Sequence, residues 1–180
     1  MIENLEQLAQ VNLSGSPFLF AYGVTWIICG ILWKKVKESY ASLATLFQGM
    51  IALPAALFLM NFIGAFENRP AVAELNSLTI IIAMSQLLVL PLLIAMFKKK
   101  HFTLIPFVFS VAAAIHFLMY TWLYQTYAYT IMAVSIAVAL AIIYGKGGEE
   151  TEITTTSAAQ ACLSTGVILL LTASYFILTT

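Results

Sequence analysis

A histidine stands in the middle of an apolar run in AAIHFLMYTWLYQTYAY, Ala113 to Tyr129, and aromatic side chains crowd the residues after it. An imidazole can donate or accept a hydrogen bond, and it titrates near neutral pH, so it can hold a ligand or move a proton. Ala112, His116, Tyr120 and Tyr124 are spaced by four. On a helix they share one face, and the small Ala112 leaves room beneath the ring. Thr25 and Gln86 fall at comparable depth in other apolar runs, Tyr22 and Asn61 lie nearer the surface, and Glu67 and Arg69 sit in the loop above. If these groups converge, they form a pocket polar on one wall, aromatic on the other and open outward.

Each residue also has a plainer reading. A histidine, Gln86 or Asn61 in a membrane helix can serve as a hydrogen-bonded contact between helices. Trp122, Tyr124, Tyr127 and Tyr129 match the amphipathic aromatics that collect at membrane interfaces whatever the function. Other chemistries lack their parts. No second histidine and no acidic residue falls inside an apolar run, and no Cys/His cluster, G-x-S-x-G or phosphate-cradling glycine loop is present. That pattern supports neither a metal site nor a carboxylate proton relay, and it implies no cofactor. Catalysis would rest on His116 without an orienting carboxylate, so an enzyme is the least favoured class.

The elements that must position these residues follow from composition. Of 180 residues, 62% are apolar and 9% charged, and the mean hydropathy is +0.96. This is the signature of a membrane protein. A hydrocarbon core about 30 Å thick needs roughly 20 apolar residues in helix. Six runs qualify, at 17–33, 41–63, 77–97, 102–123, 127–144 and 158–178. Their continuity favours helices over the alternating strands of a barrel, so the expected fold is all-α, a compact bundle of six transmembrane helices forming one domain over 1–180.

Lys34, Lys35, Lys37, Lys98, Lys99, Lys100 and Lys146 all follow odd-numbered runs, and Arg69 alone lies at the other side. By the positive-inside rule both termini are outside. The amino-terminal MIENLEQLAQVNLSGS lacks the basic start and cleavage site of a signal peptide. Its Ile2, Leu5, Leu8 and Val11 alternate with Glu3, Glu6, Gln7 and Gln10, which predicts a short amphipathic helix at the outer interface. The net charge is zero, so the partner is the bilayer and not nucleic acid.

Small residues recur by fours at Ala133, Ala137, Ala141 and Gly145 and again at Ala158, Cys162 and Gly166. Such stripes let backbones approach, and they predict a seam between helices five and six, with a homo-oligomer contact as the alternative. Cys29 and Cys162 lie in different spans as neutral buried thiols, a disulfide being the alternative. Pro54 and Pro91 should bend the second and third helices. PFLF at Pro17 and PFVF at Pro106 open spans of opposite sense, a faint echo of inverted-repeat transporters. FENRPAVAEL and GKGGEETEITTTS read as an outer and an inner connection, the latter a solvated hinge rich in glycine.

The start SGSPFLFAYGVTWIICGILW, the six-span layout and above all HFLMYTWLY, with His116, Phe117, Tyr120, Trp122 and Tyr124, resemble a group of small bacterial membrane proteins classed as a domain of unknown function. The resemblance covers nearly the whole chain. It implies a bacterial inner or plasma membrane and brings no activity with it. The residues themselves favour binding or movement of a small apolar or amphiphilic molecule through an outward pocket around His116. The rival is a non-catalytic accessory or assembly protein that docks a partner through its small-residue helix faces.

Overall fold

The computed structural model describes residues 2–67, 73–145 and 154–179. Asn68, Arg69, Lys146, Gly147 and Gly148 lie outside the described residues. So does the side chain of Glu74. Among the described residues every regular element is helical: α1 (Ile2–Val11), α2 (Ser16–Lys35), α3 (Glu38–Phe47), α4 (Gly49–Phe62), α5 (Ala73–Ser85), α6 (Leu90–Lys98), α7 (Ile105–Leu118), α8 (Tyr120–Leu123), α9 (Ala128–Gly145) and α10 (Thr155–Thr179).

These join into six helical stretches long and apolar enough to cross a membrane: Leu13–Lys35, Glu38–Phe62, Ser77–Lys98, Phe102–Leu123, Ala128–Gly145 and Thr155–Thr179. They overlay the six apolar runs, and the first and last extend a few residues beyond them because a helix need not stop where hydropathy falls. With an even number of spans, the amino-terminal helix and the end of α10 share one end of the bundle, and Lys34, Lys35 and Lys98 mark the other.

Local chemistry sets the breaks. Pro17, Pro91 and Pro106 each occupy the first turn of a helix, where the missing N–H is no loss. The PFLF and PFVF echo therefore has a capping explanation. Pro54 alone sits inside a helix, α4. The bend expected at Pro91 appears just before it, as a 3-10 turn over Gln86–Val89 that separates α5 from α6.

The tightest contact is between α2 and α10. A side chain at Gly23 would begin 2.8 Å from the Leu170 Cγ and 3.1 Å from the Gly166 carbonyl oxygen. One at Gly30 would begin 2.6 Å from Leu163 Cγ and 3.2 Å from the Ala159 oxygen, and one at Gly166 2.8 Å from the Gly23 oxygen. As the number rises on α2 it falls on α10, so the two helices run antiparallel with backbones nearly touching. This corrects the expected seam. Ala158, Cys162 and Gly166 do form a packing stripe, but against the first span. On α9, Ala133 is buried but Ala137 and Ala141 are exposed and nothing lies within 4 Å of the Cβ position at Gly145, while Tyr129, Met132, Ile136 and Leu140 are buried. A periodic stripe defines a helix face without saying where that face points, and on α9 the bulky side chains supply the larger contact. Cys29 and Cys162 are buried free thiols.

The amino-terminal helix is amphipathic as expected, yet it belongs to the bundle. Leu5 and Leu8 are each only 1% exposed and join the core, while Glu3, Glu6 and Gln7 face out. The third span is the opposite case, with 11% of an apolar 18-residue stretch buried against 56% for the first.

Candidate ligand site inside the first four spans

His116 lies in the last turn of α7 and is 6% exposed. Its Nδ1 is 3.2 Å from the Ser85 Oγ, and the Ser85 hydroxyl donates to the Ile82 carbonyl at 2.7 Å. A serine has one proton to give. With that proton directed at Ile82, Nδ1–H is the donor to Ser85 and Nε2 keeps its lone pair. Hydrogen-bond counting thus assigns the tautomer. The ring packs edge-on against Phe117 and Tyr120, with centroids 5.4 and 5.1 Å away. His116 therefore ties α7 to the end of α5, where the third span breaks into its 3-10 turn.

Above it the aromatics form a stack. Tyr120 and Tyr124 lie 5.7 Å apart, Tyr129 lies 5.5 and 5.6 Å from them, and Phe176 of α10 closes the group 5.3 Å from Tyr129. The amino-terminal segment is clamped onto this stack. Asn12 Nδ2 donates to the Tyr124 hydroxyl at 3.1 Å, and the Tyr129 hydroxyl donates to the Ser14 carbonyl. Leu13, Ser14 and Gly15 all have left-handed backbone, with φ of 50°, 50° and 78°. A side chain at Gly15 would start 2.8 Å from the Tyr129 oxygen, so glycine is required both for its φ and for the space. The interface reading consequently splits. Trp122 and Tyr127 are 52% and 81% exposed and fit an aromatic belt, whereas Tyr124 and Tyr129 are buried structural partners.

The remaining candidates go different ways. Thr25 is buried but donates to the Tyr22 carbonyl of its own helix at 2.9 Å. Asn61 is exposed in the last turn of α4 and is not brought to His116. Gln86 is half-buried in the 3-10 turn, directly after Ser85. The Tyr22 hydroxyl reaches the junction of α3 and α4, 3.6 Å from where a side chain at Gly49 would begin. Tyr120 is within electrostatic range of Tyr22 as well as Tyr124.

One residue of this interior was absent from the expected set. Gln48, between α3 and α4, is 3% exposed, and neither its Nε2 nor its Oε1 has a hydrogen-bond partner. It sits roughly 20 Å along the helix from the Phe62 end of its span, farther from that end of the bundle than the level at which the other candidates cluster. Its signal was present nonetheless, as an amide inside the apolar run TLFQGMIALP, equivalent in kind to Gln86. Ser85, Asn12 and Ser14 were likewise missed, because short polar residues gain meaning only from what stands opposite them.

Tyr120 packs on His116, and the Tyr22 hydroxyl lies beside the α3–α4 junction that carries Gln48, so these side chains are all neutral donors and acceptors. Tyr22, Gln86 and Tyr120 make no side-chain hydrogen bond among the described residues. Nor do three or more His, Cys, Asp or Glu residues come together there. The arrangement suits recognition of an uncharged, hydrogen-bonding molecule better than coordination of a metal or stabilisation of an ion.

A family of unknown function, DUF7010, matches residues 3–174. The chain belongs to this family. No curated protein and no solved structure matches it. The family match runs from α1 to the last turns of α10, so the clamped amino-terminal segment, Gln48 and His116 all lie within it.

Proposed function

We propose that this multi-pass membrane protein binds a small, uncharged molecule among Tyr22, Gln48, Gln86, His116 and Tyr120, with His116 presenting Nε2 while Ser85 holds its other nitrogen. The observation that carries the reading is the Gln48 amide. A buried polar group with no partner costs about 1 to 3 kcal/mol, and the bilayer core has no water to relieve it. A bound molecule offering both an acceptor and a donor removes that cost, and the Tyr22 hydroxyl beside the same junction supplies a third contact. The lightly packed third span, broken at Gln86–Val89, is the element whose displacement would admit it. The lysine asymmetry supports an outward-facing tyrosine stack, and the resemblance to small bacterial proteins supports a bacterial plasma membrane.

Gln48→Leu tests this directly. In the occupied protein the substitution removes the ligand's partner, so a molecule identified by mass spectrometry in the purified wild type should be lost from the variant. Unoccupied, the same change replaces an unsatisfied amide by an apolar side chain of similar size. Stability in detergent would then rise by about 1 to 3 kcal/mol with no change in retained small molecules, and that outcome would refute the site.

A second reading, an accessory protein that docks a partner or another copy, is supported by the outward-facing Ala137, Ala141 and Gly145 on α9. It calls for Ala137→Leu to change the oligomeric state or the retained partners without touching the interior.

A further inference from the structure

A groove of about 610 Å³ runs between α9 and α10. Thr126, Tyr127 and Tyr175 stand at its mouth, and Ile131, Ile168 and Leu171 line the part that descends. The two helices run antiparallel here. Tyr127 and Tyr175 share one end, and Ser135 and Ile168 mark the other, so the groove descends about 10 to 12 Å along the bundle axis. That reaches from one interface toward the middle of a membrane about 30 Å thick. Thr172 leaves the lining apolar by directing its hydroxyl to the Ile168 carbonyl at 2.9 Å. The volume falls within the roughly 300–1,000 Å³ of small-molecule sites.

We infer that this groove is a binding site for one acyl chain of a bilayer lipid, drawn from the leaflet at the tyrosine end. Both walls belong to membrane-spanning helices, so the groove opens onto acyl chains and fills from the bilayer. Its polarity is graded as an amphiphile requires: phenols and a threonine at the level where headgroups lie, and mainly aliphatic side chains below, with Ser135 the one hydroxyl at the deep end besides the internally bonded Thr172. A concave wall contacts a chain on several sides, whereas a convex helix surface touches it on one, and the added contacts favour residence over exchange. The site is separate from the interior one and does not depend on it.

The test uses the full chain in phosphatidylglycerol and phosphatidylethanolamine vesicles containing a phosphatidylglycerol analogue with a diazirine halfway along one chain. After photolysis, peptides with Ile131, Ile168 or Leu171 should carry several-fold more label than those with Leu53 and Phe58, which are exposed apolar residues on α4 toward the same end. Leu171→Trp, at an exposed position, should fill the groove and reduce that label several-fold while leaving Leu53 and Phe58 unchanged; Ile131→Trp is the second filling variant and should do the same. Even labelling of both helices, or label indifferent to both tryptophans, would show ordinary boundary lipid and overturn the site. Chain-to-chain cross-links in place of lipid adducts would overturn it in favour of a second copy.

Discussion

The crossing of α2 with α10 and the interior beside the α3–α4 junction belong to one bundle, yet they treat small and polar residues in opposite ways. At the crossing, Gly23, Gly30 and Gly166 bring backbones together until no Cβ fits. The polar side chains around it are paired: Thr165 donates to Ser110 at 2.9 Å, and Trp33 donates to Thr45 at 3.0 Å. Beside Gln48 the nearest approach to a Cβ at Gly49 is the Tyr22 hydroxyl, 3.6 Å away, and the amide stands unpaired. In lipid, close backbone packing holds helices together, because water no longer drives apolar surfaces into contact. A region where small residues do not close the gap is therefore one where polar groups must find some other partner. The first region is scaffold, and the second is the proposed site.

The largest effect should come from breaking the scaffold. Gly166→Leu places a side chain 2.8 Å from the Gly23 oxygen, so α2 and α10 must separate. Destabilisation by about 3 kcal/mol or more is expected, measured as the loss of helical signal on titration with denaturing detergent. A change below about 1 kcal/mol would mean that the two helices are not in backbone contact.

Next comes the clamp over the aromatic stack. Gly15→Ala demands a left-handed backbone from alanine and presses its methyl on the Tyr129 hydroxyl, 2.8 Å away. A cost of about 2 kcal/mol is expected, together with faster amide hydrogen exchange over α1. If exchange stayed slow, the amino-terminal helix would be held by Leu5 and Leu8 alone.

A smaller effect should follow in the second region. His116→Ala removes the donor to Ser85 and should cost about 1 kcal/mol. Its specific signature is faster exchange in α5 with α2 and α10 unchanged, which tests whether the histidine is what fastens the third span. Uniform acceleration in every helix would contradict the division between scaffold and site.

The smallest effect is expected at Ala137. Leucine there faces outward, so monomer stability should change by no more than about 0.5 kcal/mol. A loss comparable to that of Gly166→Leu would return α9 to the scaffold and restore the seam between the fifth and sixth helices.

The sequence by itself determined the six spans, their limits and the amphipathic start, because each depends on how many consecutive residues are apolar and on what bounds them. Such properties are local and can be counted along the chain. It also located His116 on one helix face with Tyr120 and Tyr124, since a four-residue spacing is geometry within a single helix. Only the tertiary structure decided what each face meets. Ala158, Cys162 and Gly166 would form the same stripe against α2 or α9, and the glycines on α2 settle it. Tyr124 and Tyr129 look like interfacial residues until Asn12 and Ser14, more than a hundred positions away, arrive to bond them. Gln48 and Asn61 are both amides in one apolar run, one buried without a partner and the other exposed. Hydropathy cannot separate them, because burial in a membrane protein depends on which surfaces of neighbouring helices turn toward each other, and lipid is as apolar as the interior it surrounds.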